Sequence, residues 1–187
     1  MTEMSCDETS LTVRPASIER LDADAYMAAI PDLTTLLVDA VVGGAGVNFL
    51  AGVDPADAES WWRERIGAVA DGTITPVVAV GEDGRIVGST LLIRSRNANS
   101  PHRAEIGKVI VLRTARRQGL ARALMTAAED LARSEGRWLL LLDTESGSAA
   151  EMLYLSMGWH EFGVVPDHSF SASGVLGPTT FFWKDLR

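Results

Sequence analysis

The chain has 187 residues, a formal net charge of −8 and a single cysteine, Cys6. Its length predicts one domain that can enclose a full hydrophobic core. The acidic balance argues against a duplex nucleic-acid binder, and one cysteine excludes an intrachain disulfide and a cysteine metal cluster. The apolar runs look too short to span a bilayer, and the acidic N-terminus does not resemble a signal peptide. We therefore expect a cytoplasmic protein without a metal, nucleic-acid or membrane partner.

The N-terminal residues divide into a leader and the start of the domain. Residues 1–10 are mostly polar and are predicted to form a flexible leader, so that one domain covers residues 11–187. Leu11–Arg14 alternates between apolar and polar residues, and this pattern predicts a short first strand that ends at Pro15.

Two helices are predicted next. The first runs from Ser17 or Glu19 to Ile30, and Pro31 is expected to break it because proline removes a helical hydrogen bond. The second ends at Gly43–Gly46, which lacks the Lys-Ser/Thr pair of a nucleotide-binding loop. We interpret this glycine-rich stretch as a flexible turn and as a candidate lid over an acceptor pocket.

The middle of the chain predicts a helix followed by an antiparallel meander. Asp54 at the N-cap and Pro55 at the first helical position start a helix that ends near Ala70. The Asp83-Gly84 pair between two apolar runs is typical of a β-hairpin. The predicted strands of the meander are Thr75–Val80, Arg85–Arg94 and His102–Leu112.

The C-terminal part predicts a strand–helix–strand crossover within an α/β fold. A helix with an apolar stripe begins at Leu120 and ends before Gly136, and the apolar run Trp138–Leu142 follows as a central parallel strand. Ser148 and Glu151 show the pattern of a helix capping box. The last predicted elements are a helix to Met157, a strand at Trp159–Val165, a polar loop at Pro166–Pro178 and a strand at Thr179–Lys184.

The stretch Val109–Arg122 predicts an anion-binding site. A buried strand leads into a turn with Gly119, and the helix start that follows leaves backbone N–H groups without helical partners. Between Ile106 and Ala128 this acidic chain has no acidic residue, which favours a bound phosphate or pyrophosphate over a solvated turn. The basic residues there are Lys108, Arg113, Arg116, Arg117 and Arg122.

Two motifs resemble the GNAT acetyltransferase superfamily. Arg116–Ala121 matches the pattern [Arg/Gln]-x-x-Gly-x-[Gly/Ala], and Tyr154–Trp159 resembles the Tyr-x-x-x-Gly-[Phe/Trp] segment further along the chain. The resemblance implies a GNAT fold, with a mixed and splayed sheet of about seven strands and about four to five flanking helices. Closer similarity to the tabtoxin-resistance acetyltransferase group lies in the stretches Gly43–Phe49, Ala104–Lys108, Leu142–Ala149 and Gly177–Thr180.

The resemblance implies acetyl-CoA as co-substrate. Backbone N–H groups of the turn would hold the pyrophosphate, and the preceding strand would pair with the pantetheine amides where the sheet splays. Ser148 stands where many members have a CoA-contacting asparagine, and it either substitutes for that contact or the contact is lost. The other implied CoA-binding residues are Val109, Ile110, Val111, Arg116, Arg117, Gln118, Gly119, Leu120, Ala121 and Arg122.

Three side chains are candidates for the chemistry of acetyl transfer. Glu105, directly or through water, and Asp143 are candidates for the general base or the ammonium anchor, and Tyr154 for the acid that protonates the thiolate. The structural alternatives are a solvent-facing Glu105, a helix-capping Asp143 and a core Tyr154 whose hydroxyl is satisfied. Trp61 and Trp62 are expected to be core or rim aromatics.

Together these features predict an acetyl-CoA-dependent N-acetyltransferase that acts on the primary amine of a small molecule, such as an amino-acid-like antibiotic or toxin. A protein N-terminus or lysine is an alternative acceptor. A non-catalytic acyl-CoA-binding sensor is an alternative of another class. Both a monomer and a homodimer are compatible with the sequence.

Overall fold

A computed structural model describes residues 15–187, so the predicted leader and the predicted strand Leu11–Arg14 lie outside the described residues. The strands are β1 (Pro15–Arg20), β2 (Ile74–Gly81), β3 (Ile86–Arg94), β4 (Arg103–Val111), β5 (Leu139–Glu145), β6 (His160–Phe170) and β7 (Leu176–Asp185). The helices are α1 (Ala23–Val42), α2 (Pro55–Arg63), α3 (Ile66–Ala70), α4 (Leu120–Ser134) and α5 (Ala149–Ser156), with a 3₁₀ turn at Arg113–Ala115.

The strands form one mixed sheet in the order β1-β2-β3-β4-β5-β7-β6. Within the described residues, β4 and β5 are the one parallel pair, and every other neighbouring pair is antiparallel. The crossover that joins the parallel pair contains α4, as the strand–helix–strand pattern predicts. The predicted α/β class and the mixed sheet of about seven strands are confirmed.

Local signals place several elements where the sequence predicts them. The Asp54 side chain accepts a hydrogen bond from the Ala56 N–H at 2.8 Å, and Pro55 occupies the first turn of α2. The hairpin between β2 and β3 turns at Gly84, whose φ of 78° suits glycine and is strained for other residues. The start of α2 and the turn of the hairpin therefore follow from side-chain and backbone chemistry that is local in sequence.

The prediction that Pro31 breaks a helix is wrong. Ser17 belongs to β1, and α1 begins only after Asp22, whose carboxylate accepts from the Ala25 N–H at 2.9 Å. Pro31 lies inside α1, which continues to Val42. A proline inside a helix costs about 3 kcal/mol, but each large apolar side chain buried along α1 returns about 1.5–3 kcal/mol. The buried apolar residues of α1 are Tyr26, Ile30, Leu33, Leu36, Leu37, Ala40 and Val41.

The same helix corrects the expectation that no apolar stretch reaches membrane-spanning length. Within the described residues, α1 is long and apolar enough to cross a bilayer by length and composition. Its position in the core accounts for that composition, because one face of α1 packs against the sheet and α2. Such a helix is weak evidence for a membrane span.

Two further boundaries differ from the predictions. The single helix expected to end near Ala70 is divided into α2 and α3. The loop expected at Pro166–Pro178 is largely strand, because β6 extends to Phe170 and pairs with β7. A register shift between Val165 and Ser169 accommodates the proline, and such a bulge absorbs residues that a regular ladder excludes.

Two hydrophobic layers cover the two faces of the sheet. On one face, α1, α2 and α3 pack against strand residues such as Val78, Leu91 and Ile110. On the other face, α4 and α5 pack against residues such as Leu92 and Leu140. The centre of the sheet, where β4 meets β5, therefore lies between two rigid layers.

Candidate active site

The sheet splays between β4 and β5. These strands pair through three residue pairs, from Arg103 with Leu139 to Glu105 with Leu141. Beyond them β5 pairs with β7 along its whole length, so that within the described residues the stretch 106–111 of β4 has no partner on the β5 side. A strand edge of this kind can pair with the amide groups of an extended ligand. The splay is the geometry that the sequence resemblance implied.

A bulge lies in β4 at the start of this free edge. Leu91 pairs with Gly107 and Ser89 with Ile110, so that Lys108 and Val109 stand opposite one residue of β3. Lys108 has a φ of 53°, a left-handed conformation that costs free energy for any residue with a side chain. The bulge redirects Lys108 out of the regular alternation of the strand.

The N-terminus of α4 is open toward the splay. Side chains cap α1, α2 and α5, whereas α4 has Gly119 at its N-cap, with a φ of 80°, and no side-chain cap. In the part of the chain that the structure describes, the backbone N–H groups of residues 117–122 donate no hydrogen bond. Uncapped N–H groups at a helix N-terminus bind phosphate groups well.

The basic side chains around this turn are not equally available. Arg113 is held by Asp39, which accepts hydrogen bonds from its backbone N–H and from Nε, each at 2.8 Å. Arg116 donates to the Val111 carbonyl at 3.2 Å, and Arg122 donates to Ser156 Oγ at 2.7 Å. The charge of Arg113 is therefore largely compensated, while Arg116 and Arg122 keep uncompensated charge.

A cavity of about 910 Å³ extends from the splay to the loop after α1. Gly43–Gly46 lies along its wall, which is compatible with the expected cover over the acceptor. Five of the predicted CoA-binding residues lie outside its lining, namely Arg117, Gln118, Gly119, Leu120 and Arg122. The predicted site residues that line it are Glu105, Val109, Ile110, Val111, Arg116, Ala121, Asp143, Ser148 and Tyr154.

Tyr154 reaches the cavity from the α5 side. Its ring packs edge-on against Phe182 and tilted against Trp159, and the side chain is 4% exposed. Burial, and secondarily the charge of Asp143, raises the pKa of the phenol above its ordinary value, so that Tyr154 keeps its proton. Within residues 15–187 its hydroxyl forms no hydrogen bond, which argues against a core tyrosine with a satisfied hydroxyl.

The two candidate carboxylates are exposed to the cavity. Among the described residues, neither Glu105 nor Asp143 forms an ion pair or a side-chain hydrogen bond. Asp143 does not cap α5, because Ser148 holds that position and its Oγ accepts from the Glu151 N–H at 3.2 Å. The predicted serine cap is thereby confirmed, but the capping box is only half formed, because the Glu151 carboxylate accepts from the Gly147 N–H at 2.6 Å and not from the Ser148 N–H. Ser148 also lines the cavity.

Three residues that were not predicted as site residues line the same cavity: Trp61, Arg65 and Lys108. The Arg65 guanidinium carbon lies 3.2 Å from the centroid of the Trp61 ring, and Lys108 Nζ lies 4.6 Å from it. Lys108 was visible in sequence as part of the basic run, but its direction depends on the bulge. Trp61 and Arg65 carry no local signal of a site, because α2 meets β4 only in the folded chain.

The described residues contain no group of three or more His, Cys, Asp or Glu side chains that could hold a metal ion. The cavity lining combines backbone groups and a protonated phenol with three carboxylates and three cations. The carboxylates are those of Glu105, Asp143 and Glu145, and the cations are Arg65, Lys108 and Arg116.

Comparisons with known proteins agree with this architecture. A ribosomal-protein-alanine N-acetyltransferase from Brucella melitensis is 26% identical, covering 91% of this chain and 99% of that chain with a TM-score of 0.69. A GCN5-related N-acetyltransferase from Kribbella flavida is 23% identical, with 90% and 98% covered and a TM-score of 0.72. A phosphinothricin acetyltransferase from Sinorhizobium meliloti, solved in complex with acetyl-CoA, is 18% identical, with 92% and 89% covered and a TM-score of 0.75.

The family match is extensive and includes all three candidate catalytic residues. Residues 35–159 match the model of the acetyltransferase (GNAT) family. This range contains Glu105, Asp143 and Tyr154, together with the splay and the open N-terminus of α4. The chain therefore belongs to the acetyltransferase (GNAT) family, which confirms the predicted acetyl-CoA-dependent N-acetyltransferase and its co-substrate.

Proposed function

We propose that this enzyme acetylates the primary amine of a small molecule, with Glu105, Asp143 and Tyr154 as its catalytic side chains. The observation that carries the proposal is the shared cavity, which joins the free edge of β4 to two unpaired carboxylates and a protonated phenol. We place the reaction in the cytoplasm, where acetyl-CoA is formed and used.

The donor half of the site follows from backbone geometry. The N–H groups of residues 117–122 bind the pyrophosphate, and each charged hydrogen bond contributes about 1.5–3 kcal/mol. Arg116 and Arg122 add positive charge beside it, and Val109–Val111 pairs with the pantetheine amides. Acetyl-CoA supplies the acetyl group as a thioester at the splay.

The catalytic side chains carry out the proton transfers of the reaction. Glu105 or Asp143 accepts the proton of the acceptor ammonium, directly or through one water, so that the free amine can attack the thioester carbonyl. A backbone N–H near Val109 donates to the carbonyl oxygen as negative charge develops on it. The C–N bond forms, the C–S bond breaks, and Tyr154 donates its proton to the departing thiolate. The raised pKa of Tyr154 keeps that proton available at neutral pH. The nitrogen loses its second proton as the amide forms, and this proton returns through water to the phenolate, which restores Tyr154.

The size of the cavity supports a small acceptor. The loop 43–48 and Phe170 both line it, and Ala51 N–H donates to the Ala172 carbonyl at 2.6 Å, which ties this loop to the β6–β7 hairpin. Because the loop and the hairpin bound the cavity on this side, it suits a compact amine better than a protein lysine. The four stretches similar to the tabtoxin-resistance group, and the fold shared with a phosphinothricin acetyltransferase, support an amino-acid-like antibiotic or toxin as acceptor.

A protein N-terminus is the second candidate acceptor. The observation that favours it is the 26% identity to a ribosomal-protein-alanine N-acetyltransferase, the highest identity among the three structures compared above.

A thiol-release assay with acetyl-CoA tests these proposals. The acceptor panel contains free amino acids, polyamines, aminoglycosides and short peptides with free N-termini. We expect turnover with one class of small amine and slow turnover with peptides. Fast turnover of peptides alone would move the acceptor to proteins, and CoA binding without turnover of any amine would indicate an acyl-CoA sensor.

A further inference from the structure

The cavity contains two cations that the acetyl-transfer mechanism does not use. Arg65, at the N-cap of α3, and Lys108, at the β4 bulge, both contact the ring of Trp61. We call these three residues the cationic cluster. Within residues 15–187 the Lys108 ammonium group forms no ion pair or hydrogen bond, and the Arg65 guanidinium has the Glu64 carboxylate at 3.8 Å. Glu64 is 71% exposed, so solvent screens this pair strongly.

The cationic cluster is rigid. Trp61 packs edge-on against Trp62 with ring centroids 4.8 Å apart, and Trp62 Nε1 donates to the Leu33 carbonyl at 3.0 Å in the core. Arg65 also donates to the Trp61 carbonyl, which fixes its guanidinium over the ring. A cation held over tryptophan gains about 0.5–2 kcal/mol. The ring therefore helps to hold two like charges at positions where they repel each other.

The repulsion between Arg65 and Lys108 indicates a binding site for an anion. Burial and the charge of Arg65 lower the pKa of Lys108 to about 8, and Asp143 only partly opposes this shift. The backbone at Lys108 is also strained, with a φ of 53°. Strain and repulsion of this kind persist where the surrounding structure imposes them, and they concentrate at ligand sites. An oxyanion between the two cations would relieve the repulsion.

The position of the cluster assigns that anion to the acceptor. Trp61 packs with the α1–α3 layer, whereas the open N-terminus of α4, which holds the pyrophosphate, belongs to the opposite layer. The carboxylates of Glu105 and Asp143 line the same cavity and suit an ammonium group. The cavity thus offers carboxylates that can bind the ammonium group of an acceptor and cations that can bind its carboxylate.

We propose that Arg65 and Lys108 bind the carboxylate of an acceptor that is a free amino acid or a close amino-acid analogue. This inference rests on the proposed function, because it assigns the acceptor of the same reaction. Arg65 and Lys108 orient the acceptor so that its amine lies toward Glu105 and Asp143, and they decide which amines bind.

The test compares L-amino acids with their C-terminal amides, which keep the amine and lose the negative charge. Thiol release is measured for the wild type and for Lys108→Gln, Arg65→Gln and Arg63→Gln. Arg63→Gln is the matched control, because Arg63 lies two residues before Arg65 but is exposed and pairs with Glu59. Should Arg65→Gln fold poorly, Lys108→Gln carries the test alone.

We expect the amides to have an acceptor KM about 10- to 100-fold above that of the acids, as loss of a charged hydrogen bond predicts. Lys108→Gln and Arg65→Gln raise the KM of the acids by a similar factor and leave the KM of acetyl-CoA and of the amides unchanged. Arg63→Gln behaves as the wild type. Equal KM values for acids and amides, or a variant effect on acetyl-CoA alone, would overturn the assignment.

A binding measurement separates this inference from the proposed function. If no amine is turned over, N-acetyl amino acids are added with CoA, and the thermal midpoint is recorded. Stabilisation of the wild type that is lost in Lys108→Gln upholds the carboxylate site while the proposed reaction fails. No stabilisation by any N-acetyl amino acid would overturn the carboxylate site as well.

Discussion

The donor half and the acceptor half of the cavity are built by different means. The donor half uses backbone groups, the free edge of β4 and the open N-terminus of α4, which lie within one continuous stretch of sequence. The acceptor half uses side chains of α2, β4 and β5, which meet only in the folded chain. Backbone geometry suits a co-substrate shared by a whole family, whereas side chains can change from one acceptor to another.

The largest effect on activity is expected at Tyr154, where the donor half and the acceptor half of the cavity meet. Tyr154→Phe removes the proton donor to the thiolate, and we expect kcat to fall about 100- to 10,000-fold with the KM of acetyl-CoA nearly unchanged. Stopped-time thiol release measures both constants. Tyr26→Phe is the matched control, because the Tyr26 hydroxyl donates to the Trp62 carbonyl in the core and lies outside the cavity lining. A Tyr154→Phe enzyme with normal kcat would remove the phenol from the mechanism.

The next effect distinguishes the two carboxylates of the acceptor half. Replacing the carboxylate that acts as base with an amide is expected to lower kcat about 100-fold. The same substitution should remove the acidic limb of the pH–rate profile. Replacing the carboxylate that anchors the ammonium is expected to raise the KM of the acceptor about tenfold and to leave the acidic limb of the pH–rate profile in place. Glu105→Gln and Asp143→Asn are compared over a range of about pH 5 to 9. Two profiles identical to the wild type would exclude both roles.

A smaller effect is expected in the donor half. Gly119→Ala places a Cβ at a φ of 80° in open space, so the cost is backbone strain of about 1–2 kcal/mol without a clash. We expect the KM of acetyl-CoA to rise about tenfold, because the strain distorts the N–H groups that bind the pyrophosphate. Gly84→Ala is the control, since its φ of 78° gives similar strain in the distant β2–β3 hairpin. Equal KM values for the two variants would contradict the pyrophosphate site.

The smallest effect concerns stability. The folded state lowers the pKa of Lys108 from 10.5 to about 8, so the charged lysine destabilises the fold below pH 8. Stability therefore rises with pH between about 8 and 10.5, where the unfolded chain still binds the proton that the folded chain has lost. Lys108→Met is expected to raise the free energy of unfolding by about 1–3 kcal/mol at pH 7. Urea denaturation at pH 7 and at pH 10.5 measures this gain, which should disappear at the higher pH.

The sequence predicts the local backbone of the donor half better than the side-chain packing around the acceptor half, and the roles of the site residues stay predictions. Gly119 and the apolar strand before it are local signals, and their conformation needs little help from distant residues. The prediction failed at Pro31, where burial along α1 outweighs a local helix breaker. It also missed Arg65, because the approach of Trp61 and Arg65 to the cavity depends on packing against β4, and the direction of Lys108, because a bulge is a property of two paired strands.

The short parallel contact between β4 and β5 has a consequence for folding. Three residue pairs join the β1–β4 sheet to β5–β7, whereas β5 and β7 are joined by seven. The sheet thus consists of two cooperative units that are joined by the short β4–β5 contact. Local opening of the sheet costs the least free energy at this contact. A co-substrate that pairs with the free edge of β4 and contacts α4 binds only the closed form. In the proposed binding mode acetyl-CoA pairs with β4 where β5 does not, and we expect amide hydrogen exchange along β4 and β5 to slow as it binds.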